Sequence, residues 1–218
     1  MKITISKNIK QAAPKIELGI IESDIKFTKF DAELWKMIKK EVEQISEMTS
    51  ETIKERATIF STREAYKKLG KEPSRYRPSA EALHRRIIKG KGMYKISTPV
   101  DIINLSSMKT GYSIGGYDAE KINGVIKFDK GKADAEYQAI GRGIMNVENL
   151  PVFFDETGAF GSPTSDSERT MITDKTQNII LLVMNFGGHK YFEKSLNYIS
   201  NLLERYCSAE NLTIRIEK

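Results

Sequence analysis

Asn178–Phe186 (NIILLVMNF) is nine residues long, and between its two asparagines it carries no polar side chain. A strand turns alternate side chains to opposite faces, so an unbroken apolar run of this length reads as a strand covered on both sides. The rest of the chain has to supply that cover. With 218 residues, 39% hydrophobic and 29% charged, it has the length and balance of an ordinary globular chain with a sizeable core.

Other segments show the periods of the elements that could pack around this strand. After Asp31, a plausible N-cap, Leu34, Trp35, Ile38, Val42 and Ile45 recur at three- and four-residue steps and predict an amphipathic helix to about Met48. A second helix is expected after Ser50. A third is expected from Ser61, where Ser61-Thr62-Arg63-Glu64 has capping-box spacing and Gly70 supplies the stop. Pro78-Ser79 leads into a helix from Ala80 to Lys89, ended by Gly90, and Lys190–Tyr206 forms a C-terminal helix. Short β-branched or aromatic runs at Ile16–Ile21, Val100–Leu105, Val125–Phe128, Val152–Phe154 and Leu212–Ile216 read as strands, with Asn123-Gly124 as a turn. Gly161–Thr170 (GSPTSDSERT) has little apolar matter to bury and reads as the most mobile segment. Helices and strands are segregated rather than strictly alternating, which favours α+β over a doubly wound sheet. The organisation expected is one domain over 1–218, a helical, basic part at 1–95 and a sheet-based core at 96–218.

Several function classes lack their residues. No run approaches the roughly 18 apolar residues of a membrane span, and MKITISKNIKQ has no apolar signal-peptide centre, so a cytoplasmic protein without membrane partners is expected. Cys207 is the only cysteine, which excludes an internal disulfide and marks a packing residue. His84 and His189 are the only histidines, too few for a Cys/His zinc site, and no metal or cofactor is expected. No GxGxxG, P-loop or GxSxG motif is present.

The net charge of +6 is local. Between Thr62 and Lys95 eleven cations face three anions, a balance of +8, and the other 184 residues sum to −2. Tyr66, Tyr76 and Tyr94 are interleaved with these cations. Phosphates attract Lys and Arg, and tyrosines stack on unpaired bases, so this window is a candidate RNA-binding face. Its candidate residues are Arg75, Tyr76, Arg77, Arg85, Arg86, Lys89 and Lys91. On the Ala80–Lys89 helix, Ala80, Leu83 and Ile87 share one face and Arg85, Arg86 and Lys89 the other, so the helix should present its cations outward; His84 belongs with that basic face. A solvated surface helix would show the same pattern.

Two loops carry further candidates. In Thr110–Asp118 (TGYSIGGYD), Gly115 and Gly116 would let a ligand approach the backbone, and Tyr112, Ser113 and Tyr117 offer hydroxyls; a tight strand connection is the plainer reading. Asp155-Glu156-Thr157-Gly158, after a strand, could hold a cation or act as acid and base, and an ordinary turn uses the same residues.

Leu69–Gly92 (LGKEPSRYRPSAEALHRRIIKGKG), Thr98–Ile126 (TPVDIINLSSMKTGYSIGGYDAEKINGVI), Leu150–Ser162 (LPVFFDETGAFGS) and Thr173–Phe186 (TDKTQNIILLVMNF) resemble, in this order, the B3/B4 domain of the phenylalanyl-tRNA synthetase beta subunit in its freestanding form. The resemblance implies a β-sandwich-like core of the B3/B4 type with an N-terminal helical region and a C-terminal helix. It also implies tRNA or aminoacyl-tRNA as partner, with an amino acid as a possible ligand. In the synthetase this domain hydrolyses tyrosine wrongly esterified to the phenylalanine tRNA. The family's Thr, His and Glu of that editing site fall here on Ile103, Gly115 and Leu182, which offer no polar side chain, whereas Asp101, Asn104, Asp118 and Thr176 are kept. An RNA-binding protein without the synthetase's aminoacylation part is therefore expected. Its pocket would be formed by Asn104, Tyr112, Ser113, Gly115, Gly116, Tyr117, Asp118 and Thr176, made larger and less polar by Gly115 and Leu182, with catalytic residues unassigned. The alternatives are a trans-acting aminoacyl-tRNA hydrolase and an amino-acid or small-molecule binder.

Overall fold

A computed structural model describes residues 1–218. Its centre is the apolar run, β9 (Asn178–Asn185), paired antiparallel with β2 (Glu17–Asp24) on one side and β3 (Ser113–Asp118) on the other. The C-terminal strand β10 (Glu210–Glu217) adds to β2, giving the order β10-β2-β9-β3. Alternate side chains of β9 feed different cores. Ile179, Leu181 and Val183 face α2 (Ala32–Ser46), α6 (Thr98–Thr110) and α7 (Phe192–Cys207), whereas Ile180, Leu182 and Met184 face a second sheet. That sheet has the order β1 (Ile3–Ile5), β4 (Ile126–Lys130), β7 (Pro151–Phe154), β8 (Ala159–Gly161). Packed against its core are α1 (Lys7–Ala12) and residues Ala65 and Leu69 of α4 (Ala57–Leu69). The fold is α+β, with α2, α6 and α7 covering one face of two stacked sheets and α1 and α4 packed against the core of the second. No helix is long and apolar enough to cross a membrane.

Local chemistry explains most boundaries. The Asp31 carboxylate accepts the Leu34 N–H at 2.8 Å and caps α2. The Thr49 hydroxyl caps α3 (Ser50–Glu55), and Gly70, left-handed at φ +92°, ends α4. The start of α4 at Ala57 corrects the expectation of a helix from Ser61: the Ser61 hydroxyl bonds back to the Thr58 carbonyl inside the helix, so its capping-box spacing is incidental.

Val100–Leu105, expected as a strand, is helical. Pro99 occupies the first turn of α6, and the helix is buried on nearly every side, so its sequence carries no 3.6-residue contrast between an apolar and a polar face. Helix α1 and the hairpin β5 (Glu136–Ala139) and β6 (Gly143–Asn146) also lie outside the elements expected, whereas β1 joins a sheet of later strands.

The 161–170 segment is not a solvated loop. Ser162, Thr164, Ser167 and Thr170 are buried, and their hydroxyls substitute for apolar packing. The Ser162 hydroxyl lies 2.9 Å from the Tyr137 hydroxyl, which donates to the Ser165 carbonyl at 2.6 Å. Thr164 donates to the Tyr76 carbonyl and accepts from the Tyr66 hydroxyl at 2.9 Å. The Ser79 N–H, opening α5 (Ser79–Ile88), donates to the Pro163 carbonyl at 2.7 Å.

Candidate functional site: a cavity beneath the basic helix

Helix α5 is rotated from the facing its sequence suggests. Its buried residues are Ala80, Glu81, His84 and Ile87, with Leu83 half-exposed. Glu81 is fully buried and holds two cations, Arg63 at 2.7 Å and Arg85 at 2.7 Å, so Arg85 is committed to an internal ion pair. His84 is a core residue rather than part of a basic face. Its Nδ1–H donates to the Ala80 carbonyl at 2.7 Å, which leaves Nε2 to accept from the Arg56 guanidinium. Burial and the Arg56 charge push His84 down to about 4, so it is neutral at pH 7. These polar groups turn the helix because paired charges are tolerated inside where single ones are not.

The cations left at the surface are fewer than the window holds. Arg75, Arg77, Lys89 and Lys91 are exposed and form no ion pair. Tyr76 is half-buried under the Lys71 ammonium, 3.8 Å from its ring centroid. Arg86 donates to the carbonyls of Gly92 at 2.9 Å and Lys91 at 3.1 Å while its guanidinium stacks 3.7 Å from the ring centroid of Tyr94, an exposed aromatic.

Directly beneath α5 opens a cavity of about 560 Å³. Its walls are apolar, from Leu83, Met93, Val100, Ile103, Ile114 and Ile172, and Tyr94, Ile96, Ile140 and Met171 form an exposed apolar rim. Arg86 and Arg142 are its cations. Of its polar side chains, Thr164 and Ser107 are engaged with other protein groups, Ser107 donating to the Tyr112 carbonyl at 2.7 Å. Asn104 has no protein partner. Asp166 has one strong partner, the Tyr117 hydroxyl, which donates to it at 2.6 Å. Burial raises the Asp166 carboxyl to about 7, against the lowering pull of Tyr117 and the Gly116 N–H, and no cation offsets it. A slightly larger recess of about 640 Å³ elsewhere is open and polar, with only two apolar residues among Asp24, Lys26, Asp174, Lys175 and their neighbours.

The pocket residues expected from sequence divide by strand parity. Asn104 and Gly116 line the cavity, and Tyr117 reaches it only through Asp166. Neither glycine has a positive φ; both sit in β3, where the need is for space. A Cβ at Gly116 would lie 2.2 Å from Ile103 Cδ1, and one at Gly115 would lie 2.1 Å from the Tyr117 hydroxyl. Gly161 makes room for the same hydroxyl from the opposite side, again at 2.1 Å.

Gly115 and Leu182 are cross-strand partners on the second core's face, so they do not enlarge the cavity; Tyr117 fills the space. Ile103 does line it. Tyr112 packs edge-on against Phe192 at 5.2 Å, and Ser113 is buried without a partner. Asp118 accepts from Thr176 at 2.8 Å and caps the turn at Glu120, a structural pairing away from the cavity.

Asp155 accepts from the Thr157 and Gly158 N–H groups and pairs with Arg169 at 2.9 Å, and these contacts hold its carboxyl below the usual range although burial acts to raise it. That segment is a turn. His189 donates its N–H to Asn185 ahead of α7, and Cys207 is buried in the helix-side core.

Residues 61–213 match the model of the B3/4 domain. The chain belongs to this family. The matched stretch of this B3/4 chain contains every residue of the cavity wall and the whole basic helix. Among curated proteins none matches it. An N-terminal fragment of the phenylalanyl-tRNA synthetase beta subunit from Pyrococcus horikoshii is similar in structure, with a TM-score of 0.48 and 16% identity. That match covers 96% of this chain and 49% of the other, so this chain spans about half the length of that fragment.

Asp166, which the sequence reading missed, had no local signal. It sits in a hydroxyl-rich segment whose partners, Tyr66, Tyr117 and Tyr137, lie between 25 and 100 residues away along the chain.

Proposed function

We propose that this chain binds tRNA and seats the aminoacylated end of one in the cavity beneath α5. One observation carries the reading: Leu83 and Arg86 of the basic helix, and Tyr94 after it, are themselves cavity residues, so the cationic face and the cavity share a border. Exposed Arg75, Arg77, Lys89 and Lys91 would contact phosphates, and the Arg86–Tyr94 stack offers a platform for an unpaired base. Family membership supports the same reading, since the B3/4 domain resembled here is a tRNA synthetase module. Arg85, held by Glu81, drops out of the proposed phosphate contacts. Filter retention of bulk tRNA tests this: retention at low salt should fall steeply as salt rises, and Arg75→Ala with Arg77→Ala should flatten that slope by about two. Absence of retention at low salt, or retention indifferent to both substitutions, refutes it.

Asp166 favours a second reading, hydrolysis of mischarged aminoacyl-tRNA. A carboxyl raised to about 7 within a cavity is suited to take a proton from water. Against it, Ile103, the one of the three family editing positions that lines the cavity, supplies no side-chain donor for an oxyanion. Deacylation of a panel of mischarged tRNAs decides; a flat panel removes this reading.

A further inference from the structure

We infer that Asp166 makes the cavity selective for a ligand carrying a protonated amine on an apolar body, the amine seated on the Asp166 carboxylate. The inference rests on the proposal that the cavity is a binding site, and it names what decides occupancy. A carboxylate in apolar surroundings is costly unless a cation pairs with it. Asp166 has no such cation: its contacts are the Tyr117 hydroxyl and the Gly116 N–H, and it joins none of the protein's ion pairs. Glu81, Asp155 and Asp118 each have a cationic partner at 3.5 Å or less, and Asp101, buried in α6 without an ion pair, is held by the Trp35 indole N–H at 2.6 Å and the Ile96 N–H. Asp166 is the only acid of the cavity wall, and the protein supplies it no cationic partner.

The Tyr117 hydroxyl, locked between Gly115 and Gly161, fixes one carboxyl oxygen and so orients the group. Asn104, a cavity side chain without a protein partner, can donate to a neighbouring carbonyl of the ligand. Charge at the walls sets direction. Arg86 and Arg142 repel an amine near them and attract an anion, so a ligand with its ammonium at Asp166 and a phosphate or carboxylate toward the arginines is held one way round.

The titratable and charged groups facing Asp166 are Tyr117 of β3, Tyr137 of β5, and the wall arginines Arg86 and Arg142. Both tyrosines are raised and stay neutral through pH 8, so the carboxyl itself is what titrates near neutrality. An ammonium ligand binds the ionised carboxyl; affinity should rise between pH 6 and pH 8, where an alkyl amine stays protonated.

The test compares isoamylamine and phenethylamine with isoamyl alcohol and 2-phenylethanol, by calorimetry on the full chain, with tRNA retention measured beside it. The amines should bind at millimolar concentration at least about tenfold more tightly than the alcohols. The preference should grow from pH 6 to pH 8 and vanish in Asp166→Asn, whose fold is checked by the fluorescence of Trp35. Amines that bind no better than alcohols, that fail to bind, or whose preference is unchanged across pH or in Asp166→Asn overturn the inference; the pH arm in the wild-type chain stands even if the variant does not fold. Amine selectivity without tRNA retention would instead sink the tRNA reading and leave the amine site intact. Retention of tRNA without amine selectivity would do the reverse.

Discussion

Replacing Asp166 by Asn should alter the pH dependence of folding far more than stability in acid. In the unfolded chain this carboxyl titrates near 3.8, and in the cavity wall near 7. Between those values the folded protein keeps a proton that the unfolded chain has released, so stability falls as pH rises from about 4 to about 7 and is level above that. Roughly three units correspond to about 4 kcal/mol. His84 acts in the opposite sense. Its folded value is about 4 against 6.5 unfolded, so the unfolded chain binds the extra proton and stability rises over that window by about 3 kcal/mol. The wild-type profile should therefore be nearly flat from pH 4 to 6.5 because two slopes cancel. In Asp166→Asn the His84 rise is no longer opposed by Asp166, and Asp101, which burial also raises, contributes alike in both proteins. At pH 4 the amide oxygen still accepts from Tyr117, and the two proteins should differ by no more than about 1 kcal/mol. Urea unfolding followed through Trp35, the only tryptophan and buried against α6, measures both at a series of pH values. Asp155, Glu22 and Asp129, whose values are lowered, affect both proteins alike and cancel in the difference. A variant-minus-wild-type difference constant within about 0.5 kcal/mol from pH 4 to 7.5 would show that the cavity does not burden this carboxyl.

Gly115→Ala should cost about 1–3 kcal/mol by driving a methyl into the Tyr117 phenol; a double-mutant cycle with Tyr117→Phe should recover part of that cost in thermal melts. Glu81→Ala, which strands Arg63 and Arg85 half-buried, should destabilise by about 3–5 kcal/mol, whereas Arg86→Ala loses two bonds to backbone carbonyls and should cost about 1 kcal/mol in the same urea assay. Ile87→Asp should prevent stable folding, and Leu83→Asp, at the cavity wall, should cost less than about 1.5 kcal/mol while weakening tRNA retention; equal destabilisation by the two would contradict the observed rotation of α5.

What the sequence discloses depends on whether the stabilising partner is local. β9 is legible because nothing polar interrupts it, and α2 because Asp31 and the apolar spacing lie within one helix. α6 is not, since a helix buried all round has no polar face to mark its period. The 161–170 segment looks solvated because Ser162 and Thr164 are satisfied by two tyrosine hydroxyls, from β5 and α4, and by the Tyr76 carbonyl, while a third tyrosine, Tyr117, holds Asp166. The Gly115-Gly116 pair was visible, but its reason, close approach by Ile103 on one face and Tyr117 on the other, is tertiary. The charge window located α5 correctly and misjudged its facing, because a buried Glu and a buried His are intelligible only with Arg63 and Arg56 beside them.

The alternation along β9 has a consequence for how the molecule comes apart. Each core is built on one set of its side chains, so loss of either removes the strand that the other requires. Helices and second sheet should then melt together as one cooperative transition, with the slowest amide exchange at Ile180–Val183. A ligand clamped on the helix side would, through the same strand, slow opening on the far side of the molecule as well.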